Sequence, residues 1–358
     1  MSNRTLRNPS FCVLPFIEKF QDLDGKNYLC CHSRVPIDYE NLDKIRSQIL
    51  DQQPLHECQN CYAQEQQKII SARQRESSRW LRDPEVKNYI DNWQPGDASK
   101  TYFYDIRFDN KCNLACITCN AQFSSLWAQE TKVTSPKYDL RFDINEAITA
   151  KKVYLAGGEP LIIDKFIDFI VGISKRDQQP ELVINTNLTR INDELKYILK
   201  QIKNLTLVVS IDAYESVNEY HRWPMKWRKL IDNLEWVQGI NCTVQFNTVV
   251  DAVSIVNCQQ IQTIEHLADQ WNLSILDHPT ALQINNLPQK LKVSVWEDFS
   301  QIKNSQFYIK DPVFKSRVDA VQNLLWQPGD EHLLANYIAN LDQRRGIDHE
   351  TYLGVKLT

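Results

Sequence analysis

From residue 101 onward, the sequence alternates between segments typical of β-strands and segments typical of helices. The strand-like segments cover residues 102–109, 152–157, 181–187, 205–213, 242–250 and 273–278. Helical stretches lie between them, at residues 163–175, 193–200, 225–237 and 254–271. Six strand–helix repeats predict an α/β fold with a parallel sheet, built either as an open doubly wound sheet or as a partial barrel.

The polarity pattern inside these strands distinguishes the two architectures. Residues two apart share a face of a strand. Polar residues share one face in four of the strands, namely Asp105, Arg107 and Asp109; Asn185 and Asn187; Ser210 and Asp212; and Thr243, Gln245 and Asn247. Strands buried on both sides of a parallel sheet should be apolar on both faces. The pattern therefore favours a barrel with a polar lumen that holds a ligand near the C-terminal strand ends.

Three cysteines lie just beyond the first of these strands. Cys112, Cys116 and Cys119 have the spacing Cys-x3-Cys-x2-Cys. Three thiolates on so short a loop can converge on one metal centre, whereas structural zinc normally takes four protein ligands. An iron–sulfur cluster bound by three cysteines leaves one iron free for a substrate or cofactor, and it fits this count.

The second strand ends in a segment with two glycines and a carboxylate, Ala156-Gly157-Gly158-Glu159-Pro160. The glycines remove side chains where a ligand could approach the backbone. An ordinary turn is the alternative interpretation of these residues alone. The segment, however, ends its strand at the same edge of the sheet as the three cysteines, where a barrel places its site.

The cysteine spacing and the Gly-Gly-Glu segment together resemble the radical S-adenosylmethionine (radical SAM) enzymes. The resemblance implies the partial (β/α)6 TIM-like barrel of that family, which six repeats suit. It also implies a 4Fe-4S cluster on the three cysteines, and binding of the amino group of S-adenosylmethionine by Gly157, Gly158 and Glu159. Thr118 departs from the family, in which the position before the last cysteine is often aromatic.

Polar residues on the third and fourth strands extend the candidate cofactor site. Asn187, Ser210 and Asp212 occupy positions that resemble polar contact sites of the family. The resemblance therefore implies contacts from these side chains to the carboxylate or the ribose of the cofactor. The alternative is that they only cap strands or line a polar cavity.

Residues 1 to about 100 contain five cysteines and few periodic apolar segments, as expected of a region that needs a metal to fold. Cys12 is followed after twelve residues by Gly25 and, after four more, by Cys30, while Cys58 and Cys61 form a Cys-x2-Cys knuckle. These four thiols would make a metal site in which the protein supplies every ligand. The pattern resembles the auxiliary-cluster modules called SPASM and twitch domains, which implies a second 4Fe-4S cluster. In the best-known members the module follows the catalytic domain, whereas here it precedes it.

Two alternatives remain open for this set. Four cysteines with a knuckle also describe a zinc ribbon. Cys31 adjoins Cys30 and could replace it, although neighbouring side chains of an extended strand point to opposite faces, so that only one should reach the metal. Outside both sets, Cys242 and Cys258 are interpreted as small buried hydrophobic residues, with hydrogen-atom donation as the alternative.

Three parts are expected, namely an auxiliary-cluster module at residues 1–100, a barrel at 101–280 and a helical extension at 281–358. The 41 basic and 45 acidic residues give a net charge of −4, so there is no general electrostatic reason to expect nucleic acid or an anionic membrane as a partner. No apolar run approaches the roughly 18 residues of a membrane span, and the first residues lack the apolar segment of a signal peptide. We therefore expect a cytoplasmic protein, in which ten cysteines favour metal binding over a disulfide framework.

The resemblance predicts a radical SAM enzyme. In that family, the reduced cluster cleaves S-adenosylmethionine to a 5′-deoxyadenosyl radical, which abstracts hydrogen from a substrate. The resemblance also implies an electron donor such as flavodoxin or ferredoxin. Because auxiliary modules often accompany peptide-modifying enzymes, a peptide or protein is the first expectation for the substrate. The alternatives are a small molecule, such as a sugar or nucleotide derivative, and a non-catalytic metal-binding interaction protein.

Overall fold

The computed structural model of the protein describes residues 8–134 and 143–357. These residues form one sheet, whose strands are β1 (Glu18–Gln21), β2 (Asn27–Tyr28), β3 (Phe103–Arg107), β4 (Lys152–Ala156), β5 (Glu181–Thr186), β6 (Leu205–Ser210), β7 (Cys242–Val250) and β8 (Gln270–Ile275). The spatial order is β2-β1-β3-β4-β5-β6-β7-β8. Neighbouring strands are parallel, except for the antiparallel pair of β1 and β2.

The strand order identifies the architecture. A doubly wound sheet reverses its order at a switch point. From β3 to β8, chain order and spatial order coincide, so that each connection advances in the same direction. Within the described ranges, the end strands β2 and β8 pair with no further strand, and the sheet stays open. The predicted α/β fold with a partial barrel is confirmed, and the doubly wound alternative is excluded.

Helices connect the strands and form most of the two flanking regions. They are α1 (Leu14–Ile17), α2 (Leu42–Leu50), α3 (Gln59–Gln66), α4 (Ala72–Trp80), α5 (Pro84–Asn92), α6 (Ser125–Thr131), α7 (Ile144–Ala147), α8 (Asp164–Ser174), α9 (Asp193–Leu199), α10 (Glu215–His221), α11 (Trp227–Val237), α12 (Gln289–Ser300), α13 (Gln306–Lys310), α14 (Pro312–Leu325), α15 (Glu331–Arg345) and α16 (His349–Leu353). Short 3₁₀ turns occur at Tyr39–Asn41, His56–Cys58, Pro160–Ile162, Ser254–Val256, Thr280–Leu282, Ile284–Asn286 and Gln301–Asn304.

The sheet has one polar and one apolar face. Strand register aligns Asp105 with Tyr154, and it also aligns Ser210 with Asn247 and Asn247 with Asn272, so that polar residues share the inner face. The opposite face carries apolar residues that are 0% exposed, namely Ile106, Leu155, Ile184, Leu207, Phe246 and Leu273. Helices cover that outer face. The polar lumen predicted from strand alternation is therefore present.

Helix α8 shows how the outer layer is specified. Its buried residues are Phe166, Phe169, Ile170 and Ile173, at the spacing that places side chains on one face of a helix. The ring of Phe166 lies 4.5 Å from that of Phe108, which follows β3. The helix therefore packs over the end of the strand that leads into the three-cysteine loop.

The N-terminal region joins the barrel instead of standing apart from it. A second apolar cluster, which includes Phe16, Ile49 and Trp93, forms its core. Strand β1 pairs in parallel with β3, and Trp80 of α4 contacts Phe103 at 6.1 Å between ring centroids. The sheet thus continues across the predicted boundary at residue 100. The division into three parts stays a prediction.

The same region also spans the gap between the two sheet edges. Arg34 forms an ion pair with Asp277, which follows β8. The N–H of Ile70 donates to Oγ of Ser316 on α14, at 3.2 Å. Helix α14 packs against β8, where the rings of Phe314 and Trp271 are 5.0 Å apart. The N-terminal region therefore connects β3 with β8 and α14 across the open side of the barrel.

The C-terminal residues are helical, as predicted, and they pack on the barrel core. The sequence prediction was wrong at the last repeat, because a helix was expected at residues 254–271 and a strand at 273–278. Residues Cys258–Leu267 instead form a 3₁₀ stretch, and β8 already begins at Gln270. Trp271 decides this start, since it packs into the outer core and is 1% exposed. In the part of the chain that the structure describes, no helix is long and apolar enough to cross a membrane.

Candidate metal and cofactor site

The cysteine loop, residues 112–119, follows β3 at the C-terminal edge of the sheet. Its three thiols are partly buried. The residues between them enter the barrel core, because Leu114 is 2% exposed and Ala115 and Ile117 are 0% exposed. These apolar side chains fix the loop at the edge where strand alternation predicts the site.

Hydrogen-bond donors face the thiols of this loop. A backbone hydrogen bond from Leu114 lowers the pKa of the Cys112 thiol, and the Cys119 thiol donates to the carbonyl oxygen of Asn120 at 3.7 Å. Burial raises the pKa of all three thiols, that of Cys119 to about 12. Such thiols become thiolates when a metal binds them, and a donor such as the Leu114 backbone stabilises the charge. Three thiols on one loop therefore fit the cluster that the sequence implies.

The backbone of the cysteine loop is held from two sides. Three side chains donate to its successive carbonyl groups, at 2.7 Å from Arg345 to Ala115, 2.6 Å from Trp127 to Cys116 and 2.8 Å from Tyr337 to Ile117. On the other side, the N–H groups of Ala115 and Ile117 donate to the carbonyls of Trp223 and His221, at 2.6 and 2.8 Å. Helix α15 supplies Arg345 and Tyr337, a role for the C-terminal extension that its sequence did not indicate.

The two glycines after β4 dock on the chain that leads into the cysteine loop. Gly157 has φ of +118°, and a Cβ on Gly158 would lie 2.2 Å from the carbonyl oxygen of Lys111. The N–H of Gly158 donates to Asp109 at 3.0 Å, and that of Glu159 donates to Lys111 at 2.8 Å. Only glycine allows this approach of the two backbones. The glycines therefore set the distance between the end of β4 and Cys112.

Glu159 turns its carboxylate towards the end of β5. The side chain is 1% exposed and accepts hydrogen bonds from Oγ1 of Thr186 at 2.6 Å, from the N–H of Asn187 at 2.7 Å and from the N–H of Leu161 at 3.1 Å. Burial raises the pKa of Glu159, although these donors oppose the shift. The carboxylate lies near Cys112, whose pKa it also raises.

Asn187 is tied to the cysteine loop through amide contacts. Its Nδ2 donates to Oδ1 of Asn113 at 3.1 Å, and Nδ2 of Asn113 donates to Oγ1 of Thr189 at 2.9 Å. The Thr189 hydroxyl in turn donates to Oδ1 of Asn187 at 2.6 Å. Asn113 follows Cys112 directly, so the triangle positions the loop against β5. Whether Asn187 also contacts the cofactor stays a prediction.

Asp212 belongs to a buried row of charged side chains that lies behind the cysteine loop. Its Oδ2 is 2.7 Å from Arg222 and 2.9 Å from Nδ1 of His221, whose Nε2 is 2.5 Å from Asp251. Burial alone would raise the pKa of Asp212, but Arg222 and His221 lower it to about 2. Burial alone would lower the pKa of His221, but Asp251 and Asp212 raise it to about 9. Acidic and basic side chains therefore alternate along this row, from Arg222 through Asp212 and His221 to Asp251.

Arg222 links this row to the cysteine loop. Its Nη1 lies 3.7 Å from Sγ of Cys116, a distance at which a hydrogen bond to sulfur forms. No sequence motif marked Arg222, His221 or Asp251 as site residues. The available signal was Asp212 itself, because a carboxylate at a buried strand end requires a cation, and His221-Arg222 is the next basic pair along the chain. Ser210 lies on the same inner face and is 9% exposed.

The N-terminal cysteine set, namely Cys12, Cys30, Cys58 and Cys61, gathers beside the second apolar cluster. Cys12 and Cys61 are 4% and 7% exposed. N–H groups again face the sulfurs, from Leu14 to Cys12 and from Arg73 to Cys61. Burial raises the pKa of these thiols, that of Cys58 to about 12. The set has the buried thiols and the donors that suit a bound metal.

Cys31 points away from this set. Burial and the Asp105 carboxylate raise the pKa of its thiol, and Arg107 opposes the shift. Asp105 and Arg107 lie on the inner face of β3, so Cys31 lines the lumen, whereas Cys30 interacts with Cys12. The arrangement favours Cys30 as the ligand. Outside both sets, Cys258 is 0% exposed in the barrel core and Cys242 packs against that core, as predicted.

Residues 106–268 match the family model described as the Radical SAM superfamily. The matched segment contains the cysteine loop and the Gly157–Glu159 segment, and it ends before β8. By this match, residues 106–268 resemble a domain of the Radical SAM superfamily.

Curated relatives match a similar share of the chain. The GTP 3′,8-cyclase of Clostridium perfringens (strain SM101 / Type A) is 26% identical over 151 residues, which cover 40% of this chain and 45% of the relative. The GTP 3′,8-cyclase of Campylobacter lari is 24% identical over 148 residues, with the same coverage. The chain thus matches less than half the length of these relatives.

Solved structures show weak similarity. Native anSMEcpe with bound AdoMet aligns with a TM-score of 0.39 and 15% identity, and the alignment covers 55% of this chain and 57% of the other. Streptococcus suis SuiB bound to S-adenosylmethionine aligns with a TM-score of 0.39 and 13% identity, and the alignment covers 80% of this chain and 68% of the other. Similarity at these levels does not transfer a substrate to this protein.

Proposed function

We propose that the protein is a radical SAM enzyme in which the cysteine loop holds a 4Fe-4S cluster and the ends of β4, β5 and β6 hold S-adenosylmethionine. The observation that supports this most is the junction of Gly158 with Lys111, because it places the Gly-Gly-Glu segment directly against the cysteine loop. When both are bound, the cluster and the cofactor supply a 5′-deoxyadenosyl radical that abstracts hydrogen from a substrate.

The residues of the chain orient this pair. Cys112, Cys116 and Cys119 would ligate the cluster. The segment Gly157–Glu159 would hold the amino group of the cofactor, while Asn187, Ser210 and Asp212 would meet its carboxylate or ribose. The guanidinium of Arg222, between Asp212 and Cys116, places a fixed positive charge where a thiolate-bound cluster is negative. The buried surroundings exclude water from the reacting centre.

The N-terminal cysteine set would hold an auxiliary 4Fe-4S cluster, with zinc as the competing metal. Because all four ligands would be thiolates, this cluster has no evident open position, and we propose electron transfer or substrate positioning for it. A flavodoxin or a ferredoxin would deliver the electron to the enzyme.

Two substrate classes are proposed for the lumen. A peptide or protein follows from the resemblance of residues 1–100 to SPASM and twitch modules. A small molecule is favoured by the lumen itself, whose inner face carries short polar side chains such as Asn185, Ser210 and Asn272. The name of the relatives called GTP 3′,8-cyclase also indicates a small-molecule substrate for those proteins.

The test is anaerobic reconstitution followed by iron and sulfide counting and an assay for 5′-deoxyadenosine. We expect about eight irons per chain and cofactor cleavage. Replacing Cys112, Cys116 and Cys119 together should abolish cleavage and leave about four irons. A matched control replaces Cys258, which lies outside both sets. Bound zinc in both sets without cleavage would contradict the proposal, and iron–sulfur clusters without cleavage would favour a non-catalytic metal-binding protein.

A further inference from the structure

Asp342 on α15 connects α10 with α16. Its Oδ1 accepts a hydrogen bond from the hydroxyl of Tyr220 on α10, at 2.9 Å. Its Oδ2 accepts two hydrogen bonds from His349, the first residue of α16, at 2.7 Å from Nδ1 and at 3.0 Å from the N–H. Tyr220 and His349 are 0% and 5% exposed. Donors from two buried residues therefore occupy both oxygens of this carboxylate and fix its position.

Tyr220 directly precedes the residues that meet the cysteine loop. The carbonyl of His221 accepts from the N–H of Ile117 at 2.8 Å. The carbonyl of Trp223 accepts from the N–H of Ala115 at 2.6 Å. A displacement of α10 would therefore move the acceptors of both hydrogen bonds.

The same segment carries the guanidinium of Arg222. Its Nη1 lies 3.7 Å from Sγ of Cys116, and its Nη2 lies 2.7 Å from Asp212. One side of α10 is held at the end of β6, because Oδ1 of Asn218 accepts from the N–H of Asp212 at 3.0 Å. Tyr220, two residues after Asn218, points to the opposite side of the helix, towards α15. Contacts on two sides of α10 thus determine where Arg222 lies.

Helix α15 reaches the cysteine loop from its other side. Arg345, three residues after Asp342, donates to the carbonyl of Ala115 at 2.7 Å, and its side chain is 1% exposed. Ala115 is therefore held by α15 through its carbonyl and by the segment after α10 through its N–H. Burial and the Asp342 carboxylate raise the pKa of Tyr220, so its hydroxyl keeps the proton that it donates. The contact between Asp342 and Tyr220 joins the two supports of the loop.

We propose that Asp342 is a positioning residue, which fixes α10 on α15 through Tyr220 and thereby holds Arg222 against Cys116 of the cysteine loop. The proposal deepens the proposed function, on which it rests for the cluster, because it names a residue that regulates how readily that cluster accepts an electron. Charge and hydrogen bonds around the sulfurs set the reduction potential of such a cluster. A fixed positive charge beside a thiolate ligand favours the reduced, more negative state.

A bound cation is the competing explanation for this group of residues. One oxygen each of Asp342 and Asp348 and one ring nitrogen of His349 lie within 4.8 Å of one another. The hydrogen bonds oppose this explanation. Nε2 of His349 accepts from the N–H of Leu357 at 3.2 Å, so the ring proton is on Nδ1, where it is donated to Asp342. Asp348 already caps α16, because it accepts from the N–H of Glu350 at 3.0 Å.

The first measurement follows amide hydrogen exchange of the whole chain by mass spectrometry, and it needs no bound cluster. Tyr220→Phe removes only the donated hydroxyl, and Asp342→Asn removes the charge that accepts it. We expect both variants to exchange residues 112–119 and 215–223 about tenfold faster than wild type. Asp348→Asn is the matched control, because it makes the same change at a neighbouring carboxylate that is 65% exposed. It should exchange these residues as wild type does.

The second measurement is the midpoint potential of the cluster on the cysteine loop, whose signal is identified by its absence from the triple cysteine variant. Tyr220→Phe and Asp342→Asn should each make this cluster about tenfold harder to reduce, which is about 59 mV for a one-electron couple. Arg222→Gln should shift the potential in the same direction and at least as far. A role confined to stability would lower the unfolding midpoint of Tyr220→Phe and Asp342→Asn and leave the potential unchanged.

Three results would overturn the positioning role. Residues 112–119 could exchange in Tyr220→Phe and Asp342→Asn as they do in wild type. The potential could stay unchanged in both variants with the cluster bound. Wild-type protein could bind manganese and lose it equally in Asp342→Asn and Asp348→Asn, which would assign these carboxylates to a cation. A chain that assembles no cluster would remove the proposed function alone, and hydrogen exchange would still decide whether Asp342 positions the loop.

Discussion

The two cysteine sets differ in how the chain holds them. The cysteine loop carries its three thiols on eight successive residues, and side chains from α6 and α15 hold its backbone together with residues 221–223. The N-terminal set gathers its thiols from the chain before α1, the end of β2 and the start of α3. The first framework is built by hydrogen bonds and packing, so we expect it to form before a metal arrives. The second joins distant segments, and a metal would be the strongest link among them.

Removing metal should produce the largest contrast between the sets. After anaerobic chelation, we expect the N-terminal region to lose free energy of unfolding, on the order of 10 kcal/mol at most, because a structural metal supplies folding energy. Amide hydrogen exchange, followed by mass spectrometry, should accelerate in residues 8–100 and change little in residues 112–119. Equal acceleration in both regions would show that the loop also depends on its metal.

The buried charge chain behind the cysteine loop predicts a pH effect that depends on His221. The pKa of His221 is raised to about 9, mainly by Asp251 and Asp212 against the effect of burial. Since the unfolded value is about 6.5, this stabilisation is complete below pH 6.5 and is lost as pH rises through about 9. Between pH 6.5 and 9.5, the free energy of unfolding should fall by up to about 3 kcal/mol more in wild type than in Asp251→Asn. Urea denaturation at four pH values measures this, and parallel curves would contradict it.

Gly158→Ala should damage the cysteine loop and spare the N-terminal set. The new Cβ would meet the carbonyl oxygen of Lys111 at 2.2 Å, so the backbones must separate, at a cost of about 2 kcal/mol. Iron per chain should drop towards about four, and cofactor cleavage should be lost. Gly172→Ala is the control, because its Cβ meets only a side-chain end at 3.4 Å within α8. Full iron content in Gly158→Ala would show that the loop tolerates the displacement.

Tyr337→Phe should give the smallest effect. It removes the hydroxyl that donates to the carbonyl of Ile117 at 2.8 Å, a contact worth about 1 kcal/mol. We expect faster hydrogen exchange in the cysteine loop and no change in residues 8–100. Tyr197→Phe, at a tyrosine that is 69% exposed, is the matched control. An unchanged loop would mean that Arg345 and Trp127 hold it alone.

Strand alternation predicted most of the barrel because its cause is local. Asp105, Ser210 and Asn247 were assigned to one face from spacing alone, and the strand register places them there. The last repeat failed because Trp271 and the residues before it carry no local pattern that separates a 3₁₀ stretch from a helix. Contact with Phe314, more than 40 residues away, decides that β8 starts there.

The sequence by itself determined the repeat, the spacing of the two cysteine sets and the Gly-Gly-Glu segment that meets one of them. Apart from the N-terminal cysteine set, these features depend on residues close together in the chain. Tertiary structure alone decided that Arg222 reaches Cys116, that α15 holds the cysteine loop and that Cys30, not Cys31, faces the N-terminal set. Each of these contacts joins side chains from separate parts of the chain. Their ion pairing, burial and hydrogen-bond geometry therefore depend on how the chain folds.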